Sequence, residues 1–330
     1  MSTPPNDGSA LILQTLAPAT HDLGGFKVYR TLPHKDRTMV GPFLFFDQMG
    51  PAHLPPGDGV DVRPHPHIGL STVTYLFDGA FQHRDSLGSD VRITPGAVNL
   101  MTAGSGIVHS ERSPQDVRAG GPALAGIQTW LALPDHLEEH DPAFEHVSAE
   151  ALPEIAYAGA RARVIMGSLW GERAPTTTWA DTIYADITLD AGGSVPIDHS
   201  TDERAVYLAQ GQATLDGMTL EPQRLYVLRP GTAATLRSDT GGRVMLAGGA
   251  AFSTPRHVWW NFVSSSRDRI REAVQASTQI DDLVQGNGFL AILDGTGDIA
   301  ELQLGNTKQL GGKLVSGHRA DRGVWWAAGF

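Results

Sequence analysis

The fold is decided by two segments, RPHPHIGLSTVTYLFDG at residues 63–79 and ITPGAVNLMTAGSGIVHSE at residues 93–111. Short apolar runs in both segments stop at turn-forming pairs, Asp78-Gly79 and Pro95-Gly96. Alternation with period two over a few residues, ended by Gly and Pro, is typical of β-strands joined by tight turns. The two segments therefore predict an all-β protein.

The same turn order occurs twice along the chain. Tyr75–Gly79 (YLFDG) recurs as Tyr207–Gly211 (YLAQG), and Pro95-Gly96 recurs as Pro230-Gly231. The spacing from Tyr to Pro is 20 residues in the first copy and 23 in the second. Two ordered matches at similar spacing predict the duplication of one β-barrel, so we expect two barrels in tandem.

The first copy carries four candidate metal ligands, His65, His67, His109 and Glu111. The same counts from Tyr207 and Pro230 lead to His199, Ile197, Val244 and Leu246 in the second copy. Three of these four side chains cannot bind a metal. The second barrel is therefore predicted to be structural.

The spacing of the four residues points to one metal ion. His65 and His67 lie two residues apart in a segment that two prolines keep extended. Successive side chains of a strand point to opposite faces, so both imidazoles share a face, and His109 and Glu111 repeat this arrangement. If the two strands are neighbours in a barrel, the four side chains converge. They suit a divalent transition metal, and iron, zinc, copper, manganese and nickel accept similar ligands.

Composition narrows the classes of function. The 330 residues carry a formal net charge of −11 and include no cysteine. A negative charge with no basic patch in the first 280 residues argues against direct nucleic-acid binding, and the lack of thiols excludes disulfides and thiolate chemistry. The N-terminus has no basic segment followed by an apolar one, and nowhere do about 18 apolar residues run together. We therefore expect a cytoplasmic protein that does not bind a membrane.

Several segments together resemble the pirin family of the cupin superfamily. The resemblance lies in residues 63–111, in FLFFDQMGP at residues 43–51 and in WNFVSSS at residues 260–266, and it spans about residues 20–280. Pirins are bicupins with one iron ion in the N-terminal barrel. The resemblance implies that the ligands of this ion, most simply Fe(II), are His65, His67, His109 and Glu111. Many cupins and pirins carry a glutamate four residues after the second histidine, but this chain has Ser71 there.

The repeat and the resemblance predict the organisation of the chain. A flexible N-terminus (residues 1–20) precedes an N-terminal cupin barrel with the metal site (residues 21–140). A degenerate C-terminal cupin barrel with a helix follows (residues 141–280), and residues 281–330 form an atypical extension. Ser264–Ser266 offer N-caps for the clearest helix. The expected fold is all-β, with two cupin barrels (double-stranded β-helix or jelly-roll) in tandem and one or two short helices.

By resemblance, the expected activity is that of a quercetin 2,3-dioxygenase, which opens a flavonol with dioxygen and releases carbon monoxide. Glu111 is predicted to be the catalytic base that accepts the proton of the substrate hydroxyl. His83 either supports the ligands or is structural. An alternative is a non-enzymatic, iron-dependent pirin that binds transcriptional or metabolic protein partners. A third is a zinc-dependent sugar-phosphate isomerase, for which Arg63 and Arg112 are the nearest basic residues in sequence.

Overall fold

The computed structural model describes residues 11–22, 26–281, 290–293 and 299–303. Within these ranges, antiparallel strands form two seven-stranded, two four-stranded and three two-stranded sheets. The elements of the first half are β1 (Ile12–Leu16), β2 (Ala19–Asp22), β3 (Lys27–Leu32), β4 (Phe43–His53), β5 (Asp61–His67), β6 (Leu70–Asp78), β7 (Phe81–Asp85), β8 (Asp90–Ile93), β9 (Val98–Thr102), β10 (Ile107–Arg112), α1 (Gln115–Gly120), β11 (Ala123–Ala132) and β12 (Ala143–Val147).

The elements that follow are β13 (Glu154–Tyr157), β14 (Ala160–Met166), β15 (Ser168–Leu169), β16 (Glu172–Arg173), β17 (Thr182–Leu189), β18 (Ser194–Ile197), β19 (Glu203–Gly211), β20 (Thr214–Leu215), β21 (Met218–Thr219), β22 (Leu225–Leu228), β23 (Ala234–Arg237), β24 (Gly242–Gly249), β25 (His257–Trp259), β26 (Phe262–Ser264), α2 (Arg267–Asp281), β27 (Leu290–Leu293) and β28 (Ile299–Gln303).

The two halves share one sheet order. In the first half the large sheet runs β12-β9-β6-β11-β4-β3-β2 and the small sheet runs β5-β10-β7-β8. In the second half the corresponding orders are β1-β22-β19-β24-β17-β14-β13 and β18-β23-β20-β21. Tyr75 in β6 and Tyr207 in β19 therefore lie on equivalent strands. The prediction of an all-β fold with two tandem cupin barrels and one or two short helices is confirmed, with two helices among the described residues.

Edge strands account for several differences from the sequence prediction. β1 pairs with β22 of the second half, so Ile12–Leu16 is part of a sheet and not of a flexible terminus. β12 and β13 lie in residues 135–160, a polar stretch that lacks a clear period-two alternation. β12 also pairs with β9, so the first large sheet extends past the predicted boundary at residue 140. An edge strand buries little of its surface and needs few apolar residues, so periodicity does not detect it.

The structure corrects the match to Pro95-Gly96 in the second copy. In the turn before β9, the backbone N–H of Gly96 donates to the carbonyl of Leu76 (3.0 Å). In the turn before β22, the N–H of Gln223 donates in the same way to the carbonyl of Leu208 (2.8 Å). Pro222-Gln223 is therefore the counterpart, whereas Pro230-Gly231 follows β22.

Strand pairing then aligns the two copies residue by residue. His65 pairs with His109 where β5 meets β10, and Val195 pairs with Leu236 where β18 meets β23. Counting 14 and 16 residues from Pro222 leads to Leu236 and Ser238, as it leads from Pro95 to His109 and Glu111. The counterparts of the four candidate ligands are thus Val195, Ile197, Leu236 and Ser238. The positions first inferred for His67, His109 and Glu111, which were His199, Val244 and Leu246, were wrong because the loops of the two copies differ in length. Ile197, first matched to His65, is the counterpart of His67.

Aromatic side chains pack the two barrels against each other. The Phe43 and Tyr184 rings lie 5.3 Å apart, and those of Phe46 and Tyr207 lie 4.9 Å apart. The hydroxyl of Tyr75, from the first barrel, donates to the buried Asp186 carboxylate of the second (2.8 Å). Burial of such large rings is strongly stabilising, so the halves share one apolar core.

The N-terminus of α2 lies at one of the N-caps predicted from the sequence. α2 begins directly after Ser266, whose Oγ accepts a hydrogen bond from the backbone N–H of Arg269 (3.3 Å), as expected of an N-cap.

Within the described ranges, neither helix combines the length and apolarity that a bilayer-spanning segment requires. Of the predicted extension over residues 281–330, β27 and β28 pair with each other. Its remaining residues lie outside the described part of the chain, apart from Asp281 at the end of α2.

Candidate metal centre

β10 lies in the middle of the first small sheet, between β5 and β7. Its register places His109 opposite His65 on β5, and Glu111 opposite His83 on β7. His67 lies two residues from His65, on the same face of β5. The pairing of three neighbouring strands thus brings together residues that are far apart in sequence.

Three imidazoles form one compact group. The ring centroids are 4.4 Å apart for His65 and His109, 4.8 Å for His65 and His67, and 5.1 Å for His67 and His109. One nitrogen from each ring lies within 4.8 Å of one nitrogen from each of the other two. Because imidazole nitrogens bind transition metals at about 2.0–2.1 Å, nitrogens at this spacing can converge on one ion.

Hydrogen bonds decide which nitrogens face the centre. Nδ1 of His65 donates to the carbonyl of Arg63 (2.7 Å), and Nδ1 of His67 donates to the carbonyl of Asn261 (3.1 Å). A carbonyl can only accept, so the lone pair of both rings lies on Nε2. His67 Nε2 and both nitrogens of His109 are buried without a hydrogen-bond partner among the described residues. Buried polar atoms of this kind require a partner, so the residues fit a metal ion.

Burial keeps the imidazoles neutral. It lowers the pKa of His65 from 6.5 to about 4, although this ring retains some contact with solvent. Burial also lowers the pKa of His67 and of His109 well below 6.5, and the neighbouring imidazoles add to the effect. A protonated imidazole cannot bind a metal. Protons therefore compete only weakly with a metal for these nitrogens at pH 7.

Glu111 lies beside the three histidines. It is 6% exposed, and the hydroxyl of Thr74 donates to its Oε1 (2.7 Å). Burial raises its pKa above 4.5, while His83 and Thr74 act in the opposite direction. A ligand atom of Glu111 lies within 4.8 Å of one from His83 and one from His109, so this second group shares His109 with the first. Glu111 is thus placed to act as a ligand or as an acid–base group.

His83 lies on the Glu111 side of the centre. Its Nε2 is 3.0 Å from Oδ2 of Asp85, and its ring stacks on Phe144 with centroids 4.3 Å apart. Oδ1 of Asp85 accepts two backbone N–H groups from the following loop. These contacts hold the His83 ring 5.2 Å from the ring of His109. Such a carboxylate–imidazole pair beside a metal site typically orients the ligands.

A cavity with an aromatic wall adjoins these residues. Phe45, Phe81 and Trp130 line it together with the candidate ligands. The ring of Phe45 stacks on Trp130 with centroids 4.1 Å apart, and Trp130 meets His67 edge-on at 5.0 Å. An apolar cavity with a few placed polar groups is typical of small-molecule sites.

Four further residues of the site were not predicted from the sequence. Gln128, Trp130, Asn261 and Arg30 line the cavity. The Arg30 guanidinium lies 4.4 Å from the centre of the Phe45 ring and donates to both oxygens of the buried Asp47 (2.9 Å each). Arg63 and Arg112, the basic residues considered for phosphate binding, do not line it. Phe45 and Asp47 belong to the FLFFDQMGP segment and Asn261 belongs to the WNFVSSS segment, so these two segments of the resemblance were the available signal.

Comparison with known proteins agrees with the fold. The family profile described as Pirin matches residues 25–131, and the profile described as Pirin C-terminal cupin domain matches residues 184–280. A pirin-like protein of Caulobacter vibrioides is 45% identical over 255 residues, which cover 76% of this chain and 88% of that protein.

Two further proteins carry dioxygenase names. A Pseudomonas aeruginosa protein, named provisionally as a quercetin 2,3-dioxygenase, is 37% identical over 268 residues, 81% of this chain and 83% of that protein. The crystal structure of quercetin 2,3-dioxygenase from Acinetobacter baumannii superposes with a TM-score of 0.76 at 30% identity, covering 94% of this chain and 96% of that one. Given both profile matches and these relatives, the chain belongs to the pirin family of cupin proteins.

Proposed function

We propose that this pirin is a metal-dependent dioxygenase that opens a flavonol with dioxygen and releases carbon monoxide. One observation carries the proposal: three neutral imidazoles, a buried carboxylate and an aromatic cavity meet at one place in the first barrel. The names of the Pseudomonas and Acinetobacter relatives favour the same reaction. We assign one divalent ion, most simply Fe(II), to His65, His67, His109 and Glu111.

The residues divide the chemical work. A bound Fe(II) ion supplies Lewis acidity and redox contact with dioxygen. The three histidines hold it as neutral ligands. Glu111 accepts the proton of the flavonol 3-hydroxyl at a carboxylate oxygen, while the Thr74 hydroxyl keeps that carboxylate in place. The raised pKa of Glu111 suits this role, because an acid–base group works best when its pKa lies near the working pH.

The cavity suits a flat aromatic substrate but is narrow. Phe45 and Trp130 offer stacked faces, which favour planar rings. The volume of the cavity is about 40 Å³, far below the roughly 300–1,000 Å³ of typical small-molecule pockets. We therefore expect Trp130, which lines the cavity, to shift when a flavonol binds. We expect substrate binding to change the fluorescence of this tryptophan.

Elemental analysis combined with an aerobic quercetin assay tests the proposal. The expected result is about one iron per chain, with quercetin consumed and carbon monoxide released in equal amounts. The metal-free protein, prepared with a chelator, is the control and should be inactive. Iron-loaded protein that leaves quercetin and a panel of other flavonols unchanged would refute the proposed reaction.

A non-enzymatic pirin is the second candidate, and the narrow cavity favours it. On this view the metal-bound form presents a surface to a protein partner, and the cavity need not admit a substrate. Stoichiometric iron without turnover of any flavonol would support this candidate.

In both cases we place the protein in the cytoplasm, where a chain without cysteine needs no disulfide.

A further inference from the structure

The metal centre includes a segment from the far end of the chain. After β24, the last strand of the second barrel, residues 256–276 cross back to the first barrel; we name this segment the strap. It contains β25, β26 and the first part of α2. Asn261, in the strap, is 4% exposed and lines the cavity beside the ligands. The first barrel alone therefore does not complete the site.

The strap contacts a metal ligand directly. The Asn261 carbonyl accepts the Nδ1 hydrogen of His67 (3.1 Å). This bond turns Nε2 of His67 toward the centre, where it has no hydrogen-bond partner among the described residues. Without it, the ring could flip or change tautomer and present a protonated nitrogen to the ion.

The strap also holds the backbone next to His67. Ile68 and Phe262 form a parallel bridge, and the N–H of Val263 donates to the Ile68 carbonyl (3.2 Å). Gly69 has φ +69°, and a Cβ there would lie 1.9 Å from the Val263 oxygen, so only glycine allows this approach. Phe262 and Ile270 pack on Ile68 in a separate apolar cluster. The strap thus fixes both the ring and the chain position of one ligand.

Polar contacts anchor the strap at its ends. Glu138 of the first half accepts hydrogen bonds from the Ser264 hydroxyl (2.7 Å) and the Ser265 N–H (2.8 Å). The buried Arg256 guanidinium lies 3.1 Å from Glu138 and donates to the Leu133 carbonyl (2.7 Å). These anchors are distant in sequence from the ligands, so they can be changed without altering the ligand set.

We propose that the strap is a positioning element of the metal centre: it orients His67 through Asn261, so metal affinity depends on strap docking, and metal binding in turn tightens that docking. If strap docking raises metal affinity, metal binding must also tighten strap docking, because coupling between two binding events is reciprocal. The inference rests on the proposed metal site but not on the dioxygenase reaction. Any partner that displaced the strap would release the metal.

Co(II) titration of the full-length protein, followed by visible absorption, tests this proposal. Phe262→Ala loosens the strap without touching a ligand and should weaken Co(II) binding about 10- to 100-fold, the usual effect of removing support behind a ligand. The matched control is Leu215→Ala, which removes a fully buried side chain from the second barrel and should leave the affinity within about threefold. If Phe262→Ala does not fold, Ser264→Ala with Ser265→Ala replaces it.

Hydrogen exchange supplies the reciprocal readout. Co(II) should slow backbone exchange across residues 257–276 in the wild type, and much less in the strap variant. The inference would be overturned if the wild type and the strap variant bound Co(II) with equal affinity. It would also be overturned if Co(II) left the rate of hydrogen exchange in the strap unchanged. Neither result would contradict the metal site. Failure of the wild type to bind Co(II) would overturn the metal site itself.

Discussion

Glu111→Gln separates the acid–base role of Glu111 from its role in packing. Glutamine has nearly the same shape, so the Thr74 hydroxyl can still donate to an oxygen at this position. A carboxamide, however, cannot accept a proton at working pH. We expect a folded protein that keeps a metal ion on its three histidines, with weaker affinity, and that loses most of its turnover.

The size of the loss follows from the position of the carboxylate. A placed general base contributes about 10²- to 10⁴-fold in rate, which corresponds to about 2.7–5.4 kcal/mol of activation free energy at 1.36 kcal/mol per decade. Because Glu111 is 6% exposed, bulk water cannot readily replace it as the proton acceptor. The loss should appear in kcat, while KM changes little because the cavity keeps its shape.

The same substitution changes how the metal-free protein responds to pH. The raised pKa of Glu111 means that the folded state keeps the proton to a higher pH than the unfolded state, whose pKa is near 4.5. Folding therefore loses stability as pH rises above about 4.5, until the folded carboxyl also ionises. The glutamine variant has no carboxyl at this position, so its stability does not fall with pH for this reason. Its melting temperature relative to the wild type should thus rise with pH.

Two measurements on matched proteins test these expectations. Initial rates of quercetin consumption and CO release are measured at equal metal occupancy, and melting temperatures are measured on chelator-treated protein between pH 5 and 8. Glu154→Gln, a change on the surface of the second barrel, is the control and should leave both unchanged. A Glu111→Gln protein with wild-type kcat would refute the general-base role. Parallel melting curves at every pH would contradict a raised pKa.

Two further predictions concern the ligands and the contact between the barrels. His65→Ala with His67→Ala should abolish stoichiometric metal in elemental analysis, whereas His199→Ala, a change in an exposed histidine of the second barrel, should retain it; metal retained in the double variant would refute the site. Tyr75→Phe should lower the free energy of unfolding by about 1.5–3 kcal/mol, because it removes a hydrogen bond to a buried carboxylate, Asp186. An unchanged denaturation midpoint would contradict that estimate.

The core of the site could be predicted from the sequence because its geometry is local. His65 and His67, two residues apart in an extended segment, must share a face, and this holds whatever the rest of the chain does. The neighbouring position of His109 was a stronger assumption. It depended on β5 pairing with β10, and the register of His109 opposite His65 bears it out.

The residues that surround the candidate ligands could not be predicted, because packing between segments far apart in sequence brings them to the site. Asn261 reaches His67 across 194 positions in sequence, and it does so with a backbone carbonyl that any residue type would supply. Trp130 and Gln128 come from β11, whose alternation predicts a strand but not which face meets the site. Comparison of the repeats failed at Pro230-Gly231 for a related reason. Identical turn residues occur at different turns, and only hydrogen-bond register shows which ones correspond.

The aligned copies explain why the candidate metal site lies in the first barrel and not at the equivalent positions of the second. Where the first barrel has His65, His67 and His109, the second has Val195, Ile197 and Leu236, each at most 2% exposed and part of the main apolar core. Three apolar side chains at these positions stabilise a barrel by burial. The imidazoles of His67 and His109 instead hold buried nitrogens without a hydrogen-bond partner among the described residues, which destabilise the barrel until a ligand satisfies them.

The apolar core of the second barrel therefore compensates for the stability that the first barrel loses by burying imidazoles. Its apolar core packs against Tyr75 and Phe46 of the first barrel, and it supplies the strap that orients His67. Metal binding contributes stability to the folded state alone, since unfolding scatters the ligands. Chelation should for this reason loosen the first barrel and the strap before it affects the second barrel.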